Sequence, residues 1–204
     1  MRLRLIERAA EMLAAREPVT LRSLVQGCGA STMAVYTHFG GMDGLWRAVR
    51  QEGFTRLARR LGSVEATDDP VRDLAALGAA YLGNALDHPA LYRVMFDAAA
   101  DLEDPAAAAR AFEVLVEGAA RAREAGRLSI TTDPGLLATQ LWAAGHGLAM
   151  LVLSGVLPAE AVPVQGPALA VGLLVGAGDS KERCEPSVRS AWAVTSAGEA
   201  PAGA

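Results

Sequence analysis

The side chains with the widest choice of chemistry in this 204-residue sequence are three histidines, two cysteines and one short run rich in hydroxyls. His38, His88 and His146 are far apart, and none sits in an HExxH, HxxEH or ExxH pattern; no GxGxxG or GxxxxGK loop occurs either. The residue sets that hydrolytic zinc sites or phosphate cradles need are therefore missing, and neither an enzyme nor a cofactor is expected. Cys28 and Cys184 are isolated, with no CxxC or Cys/His cluster, so neither a disulfide framework nor a zinc site is indicated. The run that remains is Ser31-Thr32-Met33-Ala34-Val35-Tyr36-Thr37-His38. Its hydroxyls, phenol and imidazole can hydrogen-bond to phosphates or base edges, while Met33 and Ala34 offer only apolar surface, of the kind that meets a thymine methyl group.

Charge distribution supports an anionic partner at that end. The overall charge of −4 divides into +5 over residues 1 to 60, which hold ten arginines, and −9 over the rest. A positive segment on an acidic body fits polyanion binding confined to one end. Half the residues are apolar, enough to bury a sizeable core. No uninterrupted apolar run of about 18 residues is present, so no membrane span is expected. The N-terminus carries Glu7 and Glu11 inside its apolar stripe, which argues against a signal peptide and for a cytoplasmic protein.

The elements that must position these residues read as helices throughout. Leu5, Ile6, Ala9, Ala10 and Leu13 fall on one face of a helix over 2–15 that ends before Pro18. Thr20 caps a short helix over 21–26, Gly27 and Gly29 make a turn, and Ser31 caps a second short helix running to Phe39. Two short helices around a glycine turn form a helix-turn-helix. A longer helix over 42–61 follows Gly40-Gly41. Beyond it, Asp69-Pro70, Asp104-Pro105 and Asp133-Pro134 repeat one start signal, in which Asp caps free amides and Pro fits the first helical position. Helices are expected at 70–87, 89–98, 105–125, 134–154 and 166–178, giving an all-α fold of about nine helices. The expected division is a DNA-binding domain over 1–60, with 42–61 as its linking helix, and a helical body over 61–178. The segment 179–204, rich in Ser, Ala, Gly and charge with Trp192 as its one large anchor, is expected to be a disordered tail.

The string TLRSLVQGCGASTMAVYTHFGGMDGL at 20–45 resembles the helix-turn-helix of TetR (tetracycline-repressor-like) transcriptional regulators. The resemblance rests on Ile6, Ala9, Ala10, Leu24, Gly29, Ser31, Val35, Tyr36, His38, Phe39 and Leu45 in that order. The run HPALYRVMF at 88–96, with Trp142, His146 and Gly147, is similar to a TetR subgroup whose effector domain carries a Trp-His-Gly signature. The resemblance implies a ligand-responsive regulator, by family default a repressor, that binds double-stranded operator DNA as a homodimer on a palindromic site. Thr32, Met33, Ala34 and Thr37 are the expected base-facing set, and Tyr36 and His38 the phosphate contacts; Thr20, Arg22 and Ser31 complete the expected DNA-binding residues. Val35 and Phe39, four apart, are assigned to the core. Met42 stands where the family commonly has a phosphate-gripping Lys. Val25 and Cys28 stand where Ala is usual, and the chain begins so near the first helix that only Arg2 and Arg4 form an arm.

For the body, the resemblance implies dimerisation through 134–154 and 166–178. Leu141, Leu148, Leu151, Leu169 and Leu173 are the expected knobs, while Gly145, Gly147, Gly172 and Gly176 allow close backbone approach. The implied effector is small and largely apolar. Tyr92, Met95 and Phe96 on one helix, with Trp142 and His146 at i and i+4 on another, are its expected pocket. A ligand that repositions the helix after Leu61 would change how the DNA-reading heads are spaced. The rival reading from a different class is a helical adaptor that binds protein without sequence-specific DNA recognition.

Overall fold

The computed structural model describes residues 1–96, 102 and 104–197. Among them are ten α-helices: α1 (Arg2–Ala14), α2 (Leu21–Gln26), α3 (Thr32–Phe39), α4 (Met42–Gly62), α5 (Pro70–Asp87), α6 (Pro89–Met95), α7 (Pro105–Glu124), α8 (Pro134–Leu153), α9 (Val162–Gly176) and α10 (Lys181–Ala197). A short 3-10 turn, Ala159–Ala161, precedes α9, and the described residues include no strand. Positions 97 and 98 of the expected sixth helix, and 198–204 of the expected tail, lie outside the described residues.

The start signals act as their chemistry dictates. Asp69 Oδ1 accepts from the amides of Val71 and Arg72, both at 3.1 Å, Asp104 Oδ1 from Ala106 at 3.0 Å, and Asp133 Oδ1 from Leu136 at 2.9 Å. Each carboxylate thus satisfies amides that have no partner inside the helix. Thr20 and Ser23 form a reciprocal capping box at α2. Ser31 holds the N-cap position of α3, but its side chain makes no capping hydrogen bond.

The chain divides into two compact units, one of Met1–Ala58 with Asp87–Ala109 and the other of Arg59–Leu86 with Arg110–Ala204. In the first, Leu5, Ile6, Ala9, Ala10, Leu24, Cys28, Val35, Leu45, Ala48, Val49 and Leu91 form one buried cluster. Leu91 brings α6 into this core, a segment that the sequence places with the body. Close packing explains its place: a Cβ at Gly53 would collide with the Met95 side chain, and Arg50 Nε donates to the Met95 carbonyl at 3.1 Å. Arg56 joins Glu7 (2.8 Å), Glu52 (2.7 Å) and His88 Nδ1 (3.4 Å), tying α1, α4 and the start of α6 together.

In the second unit the expected disordered tail is instead α10, with Cys184, Val188 and Ala191 buried. The reason is an apolar stripe at i, i+4 and i+7 anchored by a buried ionic network. Arg127 donates to Asp179 (3.2 and 2.8 Å), to Asp69 (2.7 Å) and to the Ser187 hydroxyl (3.2 Å), and Ser187 in turn bonds Asp69 at 2.5 Å. The Asp179 hydrogen bond is the largest influence on Arg127 and, with the other carboxylate, outweighs burial and raises its pKa. Burial tends to raise the Asp69 pKa, but the Ser187 hydroxyl, the Arg72 amide and Arg127 overcome it and hold the carboxyl below its ordinary value. Cys184 beside this network is pushed up to about 11, chiefly by burial and next by Asp179, so its thiol stays protonated and inert at neutral pH.

Candidate nucleic-acid interface and effector cavity

In the first unit, α3 presents opposite faces of opposite character. Val35 is completely buried and Phe39 half-buried, whereas Met33 is 67% and Tyr36 53% exposed. Ser31, Thr32, Thr37 and His38 are exposed, as are Thr20 and Arg22, and Ala34 is partly covered. All nine expected DNA-binding residues thus fall on two consecutive short helices or at their N-caps, Thr20 and Ser31, with every one except Ala34 open to solvent. The helix ends on Gly40 at φ 72°, a left-handed cap whose amide donates to Tyr36 O at 2.9 Å. No side chain caps the first-turn amides of α3, and these point along the helix axis, where they suit a phosphate oxygen. Thr37 spends its hydroxyl proton on Met33 O at 3.0 Å, so towards a base it acts as an acceptor only.

The expected N-terminal arm is not one. Arg2 lies in α1 with its guanidinium 5.5 Å from the centre of the Phe39 ring, and Arg4 Nη2 donates to the Cys28 carbonyl at 2.7 Å just past α2. Both arginines brace the helix-turn-helix, because an orphan carbonyl and an aromatic face hold a cation better than an exposed arm. Cys28 is buried, its thiol 3.7 Å from Arg4 O.

In the second unit an apolar cavity of about 40 Å³ lies among α5, α7, α8, α9 and α10. Trp142 lines it, as expected, but His146 does not. His146 Nδ1 instead meets the Tyr81 hydroxyl at 3.3 Å, and the same oxygen accepts from Trp142 Nε1 at 3.1 Å. Burial lowers the His146 pKa. Tyr92, Met95 and Phe96 are not cavity residues: they belong to the first unit, where the Phe96 ring packs edge-on against Tyr92 and Phe54. Their hydrophobicity goes into seating α6. Tyr81 and Trp192, which the sequence reading leaves out, are walls of the cavity.

Four of the five expected dimer knobs also line the cavity. They are Leu141, Leu148, Leu169 and Leu173; Leu148 is buried, Leu169 keeps one edge in solvent, and Gly145 faces Tyr81. The outward stripe lies to the other side of the same helices: Leu136 (60% exposed), Ala143, Gly147, Met150 and Leu151 on α8, and Val164 (64% exposed), Ala168 and Gly172 on α9. By length and composition alone, Pro134–Leu153 and Ala159–Gly176 are apolar enough to cross a bilayer, yet only 22% and 17% of these stretches are buried.

Among the described residues, no group of three or more His, Cys, Asp or Glu is placed to hold a metal. Residues 74–173 match the family model described as the tetracyclin repressor-like C-terminal domain. Over these residues the chain is similar to the tetracyclin repressor-like family. The match carries no information about a Trp-His-Gly subgroup. Solved structures share the fold of this TetR-like chain along most of its length. One is a protein of unknown function from Rhodococcus sp. RHA1, 27% identical, TM-score 0.73, covering 87% of this chain and 95% of that one. Another is the TetR family transcriptional regulator PfmR from Thermus thermophilus, 20% identical, TM-score 0.70, covering 85% and 95%. A third is a gamma-butyrolactone receptor described as ArpA-like, 19% identical, TM-score 0.71, covering 96% of both chains. No curated protein sequence matches the chain.

Proposed function

We propose that this TetR-like chain is a ligand-responsive transcriptional regulator, a repressor that binds a palindromic operator as a homodimer in the cytoplasm and leaves it when a small apolar molecule binds. The observation that carries the DNA-binding part is α3, which buries Val35 while holding Met33 and Tyr36 out in solvent. Large apolar and aromatic side chains exposed together on a short helix are wasteful unless a partner covers them. A helix of this length with uncapped first-turn amides fits a major groove, with Thr32, Met33, Ala34 and Thr37 towards bases and Tyr36 and His38 towards phosphates.

On this reading the first unit is the DNA-binding domain and the second binds effector and dimerises. The likeness to the gamma-butyrolactone receptor and the apolar cavity support an effector of small, largely uncharged character. The outward stripes of α8 and α9 support a second copy of the chain as their cover, since two-fold symmetry suits a palindrome.

Selection of bound duplexes from a random pool tests the core of this reading: an enriched palindrome is expected, and a pool that stays random would leave the adaptor class as the better account. Effector and operator should also weaken each other's binding by one common factor. Independent affinities in a two-way titration would remove the regulatory part.

A further inference from the structure

One wall of the cavity in the second unit comes from a helix that lies outside the family match: α10 begins at Lys181, beyond residue 173. Trp192 of α10 sits on Gly166 of α9 so closely that a Cβ at position 166 would overlap the six-membered part of its indole. The indole is a shared partition. One side lines the inner cavity, and the other lines a surface groove of about 800 Å³ between α9 and α10, where Pro163, Pro167 and Val188 lie beside the charged Lys181, Glu185 and Arg189. The cavity walls are Leu, Ala, Gly, Tyr and Trp only, with no ionisable group other than the Tyr81 phenol. As it stands, the space has room for about three water-sized groups, roughly the span of one six-membered ring.

We propose that Trp192 is the specificity-determining residue of the effector site, and that together with Gly166 it limits the cavity to small uncharged ligands of a single ring or similar span. The inference rests on the reading of the second unit as effector-binding. A charged ligand would lose its hydration with no counter-charge to meet. A fused bicyclic ligand would have to displace the indole, which Gly166 holds in place and which the Arg127 network keeps docked by fixing α10. The narrow backbone approach at Gly166 therefore has a consequence for recognition as well as for packing.

The full chain is titrated by calorimetry with phenol, benzoate and 1-naphthol as probes of ring size and charge. Wild type is expected to bind phenol, with benzoate and 1-naphthol at least tenfold weaker. Trp192→Ala, which merges cavity and groove, is expected to bind 1-naphthol at least tenfold more tightly than wild type does. Circular dichroism checks that α10 stays helical; should the alanine variant unfold, Trp192→Leu carries the same expectation with a smaller gain. Phenol binding with an unchanged size profile in the variants would overturn the role of Trp192 while leaving the effector site standing. Benzoate binding to wild type as tight as phenol would overturn the restriction to uncharged ligands. Absence of binding by every probe to every variant would overturn both the proposal and the cavity as an effector site.

Discussion

Tyr36 and Val35 are neighbours with opposite fates, and that contrast defines the surface we propose for reading DNA. Val35 is sealed into the core with Leu5, Leu24 and Leu45, whereas the Tyr36 ring projects from it. Tyr36→Ala should therefore lower operator affinity about tenfold, the scale of one lost polar contact at a protein–DNA interface, with the melting temperature unchanged. Loss of fold on that change, seen by circular dichroism, would instead make the ring a packing element. These assignments were legible in the sequence because a helical period separates 35 and 39 from 33, 36 and 37. The fates of Arg2 and Arg4 were not legible, because their partners, the Phe39 ring and the Cys28 carbonyl, are distant in sequence.

His146 makes a second claim at the same scale. Burial holds its folded-state pKa below the ordinary value of 6.5, so the unfolded chain takes up the proton first as pH falls. The stability associated with neutral His146 is present in full above about pH 6.5 and declines as the pH drops through the lowered folded value. Thermal unfolding between pH 7.5 and 5.5 should accordingly show a melting temperature that falls with acid in wild type and less so in His146→Gln. Equal slopes for the two proteins would contradict a desolvated imidazole.

At the level of elements, the helices with caps and long apolar stripes were readable, and α10 was not. Its signal was present in Cys184, Val188 and Ala191, spaced i, i+4 and i+7, but the Ser, Ala, Gly and charge-rich composition around them pointed to disorder. What overrides it is tertiary: Arg127 reaches from the end of α7 to Asp179, Asp69 and Ser187, joining segments no local pattern connects. Arg127→Met should strand the fully buried Asp179 carboxylate and destabilise the second unit by roughly 3–5 kcal/mol, read by urea unfolding. Ser187→Ala, which removes a hydroxyl and leaves the ion pairs, should lose only about 1 kcal/mol. Comparable losses for the two variants would mean that the charges are not the anchor. The placement of α6 escaped sequence reasoning for a related cause, since its apolar residues fit either unit and only the tight seat of Met95 on Gly53 distinguishes them.

For the whole molecule, the decisive surface is the pair of outward stripes on α8 and α9. The two helices were read from sequence as the dimerising pair, but which leucines face out is not decided by composition. Leu141 and Leu148, seven residues apart, share the inner face of α8; Leu136, Ala143, Gly147 and Met150 share the outer one. The outer stripe places Gly147 and Gly172 where nothing lies within 4 Å of a Cβ, leaving room for helices of another copy to approach closely. Gly147→Glu and Val164→Glu each put a charge into that surface without entering the core of the fold, so each should give a folded monomer by sedimentation velocity at micromolar concentration. A monomer presents one reading head, and its affinity for a full palindrome should drop by roughly a hundredfold or more, while binding to a half-site changes little. Because the same helices have the length and composition of a bilayer span, vesicle co-sedimentation is the discriminating companion measurement. A dimer that ignores vesicles supports association through this face. Wild-type protein that is monomeric yet sediments with vesicles would assign the stripe to lipid and remove the symmetric operator with it.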